Sequence, residues 1–121
     1  MPEVRVASVA DFEQTERVLT SVGDREVVVF RIRGSYVAYE NRCPHLGGPI
    51  GLGRLMPRVE AVLDENRAVT EERFSQTQVM VNCPWHAYEF DVSTGACVVD
   101  PRYRLNKYEV IENDGELYVV A

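Results

Sequence analysis

Short apolar runs separated by glycine-containing turns make up the first third of the chain. Four runs, rich in β-branched or aromatic residues, are Val4–Ala7, Arg17–Val22, Glu26–Arg33 and Tyr36–Glu40. Because the runs are short and bounded by turn signals, the pattern predicts strands of a β-meander and not helices. Gly23-Asp24 and Gly34-Ser35 are expected to form turns, and Val9–Glu13 a turn or a single helical turn. We expect the first run to be a short edge strand.

The last third of the chain repeats this pattern after a more polar middle segment. Its apolar runs are Val79–Asn82, Tyr88–Val92, Ala96–Val99, Leu105–Ile111 and Glu116–Val120. Ser93-Thr94-Gly95 is expected to be a turn, and Asn113-Asp114-Gly115 is a strong hairpin signal between the last two runs. These runs predict a second set of strands.

Composition and charge narrow the class of protein. With 121 residues, 45% of them apolar and 26% charged, residues 1–121 are expected to form one globular domain. The formal net charge of −6 argues against nucleic acid as a partner, because nucleic acid is bound by clustered Lys and Arg. No apolar run approaches the ~20 residues that cross a bilayer, the first residues lack the apolar core of a signal peptide, and three cysteines do not suggest a disulfide framework. We therefore expect a cytoplasmic protein with no membrane partner.

Two short stretches, Cys43-Pro44-His45 and Cys83-Pro84-Trp85-His86, hold both histidines and two of the three cysteines. Thiolate and imidazole are soft or borderline donors, so two Cys/His pairs beside turn-forming prolines predict a metal site. A zinc finger usually groups like with like, two cysteines on one loop and two histidines on a helix, whereas each stretch here carries one of each. A zinc interaction module that uses the same four residues stays open as an alternative.

The order of these donors resembles that of the Rieske family. The resemblance covers most of the chain and continues through Leu46-Gly47-Gly48-Pro49, Ala87-Tyr88-Glu89-Phe90-Asp91 and Ser93-Thr94-Gly95. In that family one iron of a 2Fe-2S cluster is held by two cysteines and the other by two histidines. The resemblance therefore implies one Rieske-type 2Fe-2S cluster with the ligands Cys43, His45, Cys83 and His86. It also implies an all-β, Rieske-like fold of antiparallel sheets, in which two ligand loops form a small cluster-binding subdomain at about residues 41–101.

One segment departs from the family pattern. Between His45 and Cys83 lie 37 residues, more than the compact ferredoxins of the family use, and we place the insertion at about Leu55–Gln78. Its run Arg58–Leu63 either pairs with the chain around Ala68-Val69 as a hairpin or forms a helix, and we favour the hairpin. Because the segment carries five acidic residues against three arginines, we expect a polar flap.

The residues that remain outside the ligand loops limit the function. A Rieske oxygenase also needs a mononuclear iron held by two histidines and a carboxylate, but both histidines of this chain are already assigned to the cluster. The chain also lacks the G-x-G-x-x-G fingerprint of a dinucleotide site. The resemblance thus implies a soluble one-electron carrier and not an enzyme: a monomeric ferredoxin that passes electrons from a flavin-dependent reductase to a terminal oxygenase of the aromatic-ring dioxygenase type. The alternative within electron transfer is the small Rieske-like subunit of a reductase such as nitrite reductase.

Further positions receive expectations from the resemblance. Cys97 lies in an apolar run and is expected to be a small buried residue without a redox role. Pro101 sits where the family places a proline loop over the cluster, which makes it a candidate shield. Where high-potential members have two bridging cysteines and a Ser and a Tyr bonded to sulfur, this chain has Gly48, Trp85, Tyr88 and Phe90. Fewer donors to sulfur disfavour reduction, so we expect a potential on the order of −150 mV.

Overall fold

The computed structural model describes residues 3–44, 47–63, 65–84 and 88–120, with the backbone alone for 58–63 and 70–77. Within these ranges the strands are β1 (Glu3–Ser8), β2 (Arg17–Val22), β3 (Arg25–Ile32), β4 (Ser35–Glu40), β5 (Leu55–Leu63), β6 (Val69–Asn82), β7 (Glu89–Asp91), β8 (Lys107–Asn113) and β9 (Glu116–Val120). The helical elements of the described ranges are two 3-10 turns, Val9–Phe12 and Ile50–Leu52. In this part of the chain no helix is long and apolar enough to span a membrane. The predicted all-β fold is confirmed.

The larger sheet has the strand order β1-β9-β8-β4-β3-β2, and all its neighbouring strands are antiparallel. Two-residue turns close two of its hairpins, Arg33-Gly34 between β3 and β4 and Asp114-Gly115 between β8 and β9. All four of these turn residues have positive φ, between 52° and 80°, which matches the right-handed twist of paired strands. The end strands β1 and β2 also contact each other, so the sheet curls into a nearly closed barrel.

The smaller sheet has the order β5-β6-β7 and is also antiparallel. Its strands β5 and β6 form a long hairpin whose ladder runs from the pair Leu55↔Val81 to the pair Leu63↔Val69. The third strand, β7, pairs with Met80–Asn82 at the base of this hairpin. The hairpin predicted for the inserted segment is therefore confirmed in its backbone, and the helical alternative is wrong.

The central strand β3 is buried on both faces, and its alternate residues belong to two cores. Val27 and Val29 lie in the sheet core, which consists of Val6, Ala7, Phe12, Val27, Val29, Ala38, Leu117 and Val119. Val28 and Phe30 lie in the loop core, which consists of Val28, Phe30, Tyr39, Cys43, Ile50, Val81, Cys83, Phe90, Val92, Cys97 and Leu105. The side chains of these four consecutive β3 residues, Val27 to Phe30, are fully buried. Because successive strand residues point to opposite faces, one face of β3 packs in the sheet core and the other in the loop core, which contains the two predicted ligand cysteines.

The strand predicted at Ala96–Val99 is wrong. Ala96 and Cys97 each make one isolated β-bridge, and neither is part of a continuous ladder. Ala96 and Val98 exchange hydrogen bonds with Asp91 and Glu89 of β7, each at 2.9 Å, but the amide of Cys97 between them donates to the carbonyl of Tyr103 at 2.9 Å. The run therefore lies beside β7 over a few residues and is shared with the loop that follows it.

Smaller differences concern the ends of elements. The run Tyr88–Val92 is a strand only at Glu89–Asp91, and the strand predicted at Leu105–Ile111 lies at Lys107–Asn113. Leu105 is buried in the loop core, and its amide donates to the carbonyl of Gly95, which keeps it out of β8. The turn expected at Gly34-Ser35 lies one residue earlier, at Arg33-Gly34. The edge position of β1, the helical turn after it and the turn at Gly23-Asp24 are confirmed.

Candidate metal centre

Strands of two different sheets lead into the two predicted cysteine ligands. The strand β4 ends three residues before Cys43, and β6 ends directly before Cys83. Both cysteines are 1% exposed, and both belong to the loop core. The fold therefore brings two cysteines that are 40 residues apart in the sequence into one water-excluded region.

The two predicted ligand loops close on themselves in the same way. The amide of Cys43 donates to the carbonyl of Gly48 at 2.6 Å, and the amide of Cys83 donates to the carbonyl of Tyr88 at 2.9 Å. Both bonds reach a residue five positions further along, so the two loops have equal spans. In the first loop Gly47 has a φ of 79°, which glycine adopts without strain, and its amide donates back to the carbonyl of Cys43 at 2.7 Å. Two equal loops, each rooted at a cysteine, suit one group held between them.

The other two predicted ligands, His45 and His86, lie outside the described residues. In the sequence each falls between the cysteine and the carbonyl that close its loop. Among the described residues no group of three or more His, Cys, Asp or Glu side chains could hold a metal ion, and these residues include only two of the four predicted donors. The ligand roles stay a prediction.

The third cysteine lies in the same core. Cys97 is 3% exposed, so its predicted burial is confirmed. All three cysteines are thiols and none forms a disulfide. Cys97 therefore offers a matched comparison for the two predicted ligands, because it shares their burial and their chemistry.

Two asparagines anchor the segment that follows the first ligand loop. The side-chain oxygen of Asn41 accepts a hydrogen bond from the amide of Gly51 at 2.6 Å. The amide of Asn82 donates to the carbonyl of Arg54 at 3.0 Å. At Gly53 an added Cβ would overlap the carbonyl oxygen of Asn82, so only glycine permits this approach. The segment is thereby fixed to the entrance of both ligand loops.

Sequence reasoning missed these anchors, although a signal existed. An asparagine stands one or two residues before each predicted ligand cysteine, at Asn41 and Asn82. A polar residue repeated at matching places beside a metal-binding pair is the kind of pattern that indicates support of the ligands.

Sequence reasoning also missed Arg17, which extends from β2 to the same segment. Its Nη1 donates to the carbonyls of Gly51 at 2.8 Å and Gly53 at 2.5 Å. Its Nη2 contacts a carboxylate oxygen of Glu16 at 2.9 Å, and its Cζ lies 5.4 Å from the centre of the Phe30 ring. The bonded carbonyls are 34 and 36 residues further along the chain, so no local pattern marks this arginine.

A buried tyrosine joins the two parts of the fold that carry the predicted ligands. Tyr39 is fully buried in β4, and its hydroxyl donates to the carbonyl of Val92 at 2.6 Å. Burial raises the pKa of Tyr39 well above its ordinary value, and the negative charge of Asp91 raises it further. An added Cβ at Gly95 would lie 2.9 Å from the Tyr39 ring, so the turn after β7 packs closely on this side chain.

The turn after β7 is held by Asp91. One of its carboxylate oxygens accepts from the amide and the hydroxyl of Ser93 at 2.9 and 2.7 Å, and the other accepts from the side chain of Gln78 at 2.9 Å. Burial alone would raise the pKa of Asp91, but these hydrogen bonds hold the pKa below its ordinary value. The carboxylate is therefore charged at neutral pH and stabilises the turn.

The loop around Pro101 lies beside the second ligand loop. Pro101 is exposed, and an ion pair of 2.7 Å between Asp100 and Arg102 brackets it and lowers the pKa of Asp100. The ring of Tyr103 stacks on that of Tyr88, with ring centres 6.4 Å apart and planes at 28°. This contact places the loop next to the chain that leaves the second ligand loop, while the shielding role of Pro101 stays a prediction.

The described residues fit an iron–sulfur cluster. Thiolates are the ligands that iron in such clusters takes from cysteine, and each loop supplies one buried thiol. The two cysteines also belong to one buried cluster of side chains, so their thiols can serve one group.

Comparison with known proteins identifies the family. A family model described as the Rieske [2Fe-2S] domain matches residues 3–109. A human Rieske domain-containing protein is 36% identical over 85 residues, which cover 70% of this chain and 43% of that relative. The chain spans less than half the length of the curated relatives it matches.

Two solved structures have a similar fold. The ferredoxin of carbazole 1,9a-dioxygenase from Nocardioides aromaticivorans IC177 has a TM-score of 0.69 at 24% identity, covering 99% of this chain and 98% of that one. A candidate NADH-dependent nitrite reductase small subunit from Mycobacterium tuberculosis has a TM-score of 0.71 at 22% identity, covering 100% and 99%. The family match decides for a cluster over the zinc alternative. This chain belongs to the Rieske [2Fe-2S] domain family, holds a 2Fe-2S cluster and carries electrons.

Proposed function

We propose that this protein is a Rieske-type ferredoxin that takes electrons from a flavin-dependent reductase and passes them to a terminal oxygenase of the aromatic-ring dioxygenase type. The observation that carries the proposal is the placement of both histidines in the two ligand loops. Within this chain no histidine is left for a mononuclear iron, which takes two histidines and one carboxylate. The similarity in fold and length to the ferredoxin of a carbazole dioxygenase supports this role.

We assign the cluster ligands to Cys43, His45, Cys83 and His86. A bound 2Fe-2S cluster supplies one-electron chemistry, and the protein determines its position and its contact with water. The two cysteines are 1% exposed and would hold the inner iron inside the loop core. The assignment of the two histidines to the outer iron rests on the family resemblance. In the same proposal, residues 1–121 are one Rieske domain with its cluster-binding part at about 41–101.

The partners follow from charge and from the carrier role. The net charge of −6 favours a reductase or oxygenase with a basic docking surface and argues against nucleic acid. A carrier that alternates between two proteins needs both to dock near the cluster. We expect the protein to act as a monomer in the cytoplasm, without a membrane partner.

A specific similarity keeps a second function in view. The candidate nitrite reductase small subunit from Mycobacterium tuberculosis is covered over nearly its whole length at a TM-score of 0.71. In that role the chain would stay bound to a larger catalytic subunit, whereas a ferredoxin exchanges between partners. The two functions therefore differ in the lifetime of the complex.

The ligand assignment is tested with a matched series of cysteine variants. Cys43→Ser and Cys83→Ser should lose the visible absorption and the iron, because metal binding and folding are coupled in small metal-binding domains. Cys97→Ser replaces a third cysteine of the same core and should keep both. The wild-type protein should contain about two irons and two acid-labile sulfides per chain. Full iron and sulfide in Cys83→Ser would refute the assignment.

The partner assignment is tested with reductase and oxygenase components encoded near this protein's gene. The reductase with NADH should bleach the oxidised cluster in a stopped-flow experiment, and reoxidation should follow when the oxygenase and its aromatic substrate are added. A stable complex with a nitrite reductase catalytic subunit in size-exclusion chromatography, without oxygenase turnover, would instead favour the second function.

A further inference from the structure

We propose that Arg17 is a positioning residue for the cluster site. By bridging the carbonyls of Gly51 and Gly53, its guanidinium fixes the segment that links the two ligand loops. The inference rests on the proposed function, since it concerns the site that the two loops form. It assigns a role to a residue of β2, a strand that carries none of the predicted ligands.

The contacts of Arg17 hold its side chain in one orientation. One nitrogen, Nη1, donates to two backbone carbonyls at 2.8 and 2.5 Å, and the other, Nη2, contacts Glu16 at 2.9 Å. The guanidinium lies over the ring of Phe30, a fully buried residue of the loop core. The side chain is only 21% exposed, and the residues it bonds, Gly51 and Gly53, are buried. The two bonds are therefore part-buried, where water replaces a lost donor less readily than at an exposed site.

The bridged segment touches the entrance of both ligand loops. The amide of Gly51 donates to the side chain of Asn41, two residues before the first ligand cysteine. Gly53 packs on the carbonyl of Asn82, the residue directly before the second predicted ligand cysteine. The amide of Asn82 donates to the carbonyl of Arg54, the next residue of the segment. The guanidinium adds hydrogen bonds from β2 to a segment whose Gly51 also lies close to the side chains of Leu19 and Val28. When the guanidinium is lost, the segment keeps its apolar packing and its attachments to the loops but loses the bonds that fix two of its carbonyls, so the separation of the loops is less well defined.

The chemistry of the site requires arginine more than it requires positive charge. A planar guanidinium can bond two carbonyls through one nitrogen, contact a carboxylate through the other and lie over an aromatic ring at once. The single ammonium of lysine can approach the carbonyls but cannot meet Glu16 and Phe30 in the same arrangement. Arg17→Lys should therefore retain part of the effect, and Arg17→Gln little of it.

The experiment compares Arg17→Gln and Arg17→Lys with the control Arg5→Gln in the protein that holds its cluster. Arg5 makes an ion pair with Glu116 at 2.7 Å in an exposed part of β1, so its loss removes an arginine without touching the loops. The first measurement is the rate at which visible absorption disappears in the presence of an iron chelator. We expect a rate about tenfold faster in Arg17→Gln, about threefold faster in Arg17→Lys, and unchanged in the control. The second measurement is the electron paramagnetic resonance spectrum of the reduced cluster, which should shift in Arg17→Gln and return toward wild type in Arg17→Lys.

The outcomes separate positioning from a general effect on stability. Faster loss with an unchanged spectrum in both Arg17 variants would overturn the proposal, as would wild-type rates in Arg17→Gln. If Arg17→Gln does not fold, Arg17→Lys decides: faster cluster loss together with a small shift of the spectrum supports the proposal, and an unchanged spectrum overturns it at any rate of loss. A wild-type protein without iron would refute the proposed function. In that case, hydrogen exchange of residues 47–56 in Arg17→Lys still decides whether Arg17 holds the segment, since faster exchange supports the bridge and unchanged exchange overturns it.

Discussion

The hydroxyl of Tyr39 donates a 2.6 Å hydrogen bond to the carbonyl of Val92, and both residues are buried. Tyr39 lies four residues before Cys43, on the strand that leads into the first ligand loop, and Val92 follows β7, which leaves the second. The bond thus joins β4 of the large sheet to the residue that directly follows β7 of the small one. It is a contact between residues 53 positions apart.

Replacing Tyr39 with phenylalanine should destabilise the protein by roughly 1–3 kcal/mol, because the carbonyl of Val92 would stay buried without its donor. The check is the urea dependence of unfolding at neutral pH. Tyr36→Phe is the matched control: Tyr36 is half-buried, and its edge-to-face contact with Phe12 at 5.2 Å is preserved by the substitution. That variant should change the free energy of unfolding by less than about 0.5 kcal/mol. Equal effects of the two substitutions would contradict the role of the buried bond.

The raised pKa of Tyr39 predicts a loss of stability in alkaline solution. In the folded protein the phenol keeps its proton at a pH where the unfolded chain has lost it, so unfolding releases a proton. The stabilisation is complete below about pH 10, the ordinary value for tyrosine, and decreases as the pH rises above it. Urea midpoints measured between about pH 8 and 11 should therefore fall less steeply in Tyr39→Phe than in wild type. Parallel slopes would count against burial of this phenol in solution.

Gly53→Ala should reduce the iron content of the purified protein. The new methyl group would overlap the carbonyl of Asn82 and lie 3.0 Å from the carbonyl of Ile50. Asn82 directly precedes Cys83, so its carbonyl cannot give way without displacing the start of the second predicted ligand loop. The control is Gly34→Ala, at a φ of 80° with no heavy atom within 4 Å of the added Cβ. That change should cost about 1–2 kcal/mol of backbone strain and leave the iron content intact. Iron and sulfide assays on both variants, beside their thermal midpoints, distinguish damage to the site from a loss of stability.

The β5–β6 hairpin should govern association with the reductase and leave the cluster unchanged. Its ladder begins between the two ligand loops, so the segment starts near the site and its far end, Glu65–Val69, is exposed. Replacing residues 59–77 with an Asn-Gly turn keeps the base of the ladder from Leu55↔Val81 to Pro57↔Val79. We expect an unchanged visible spectrum and potential, with electron uptake slower by several-fold at low salt and a weaker salt dependence.

A charge variant controls for the loss of the hairpin itself. Glu65→Gln removes one exposed acidic group at the tip and should weaken the salt dependence of electron uptake slightly, with no other effect. Stopped-flow rates over a range of ionic strength measure both variants. Identical rates for wild type and the shortened protein at low ionic strength would leave the hairpin without a role in docking.

The sequence predicted strands best where burial and local propensity agree. The valines of β3 and the Asp114-Gly115 turn carry β-branched and positive-φ signals that depend only on near neighbours. Much of β6 lacked such a signal, since the stretch from Thr70 to Gln78 is mostly polar. This stretch is a strand because its main chain pairs with β5, and main-chain pairing leaves little signal in the pattern of side chains.

The strand prediction at Ala96–Val99 was wrong because its apolar residues indicate burial and not strand pairing. Cys97 is buried in the loop core, but its neighbourhood is held by single bridges and by a bond to Tyr103. The two cysteines proposed as ligands could be singled out from the sequence because their residue type and their spacing from a histidine are local features. Arg17 could not be singled out, because the carbonyls it bonds belong to a segment brought near by the fold.

The double burial of β3 has a consequence for how the protein can change over time. Val28 and Phe30 belong to the loop core, while Val27 and Val29 belong to the sheet core. The strand β3 therefore contributes side chains to both cores. A larger or smaller side chain on one side tends to displace the backbone and is felt on the other. We therefore expect that the loop core cannot be grafted onto a different barrel without β3. We also expect the two cores to unfold in a single transition.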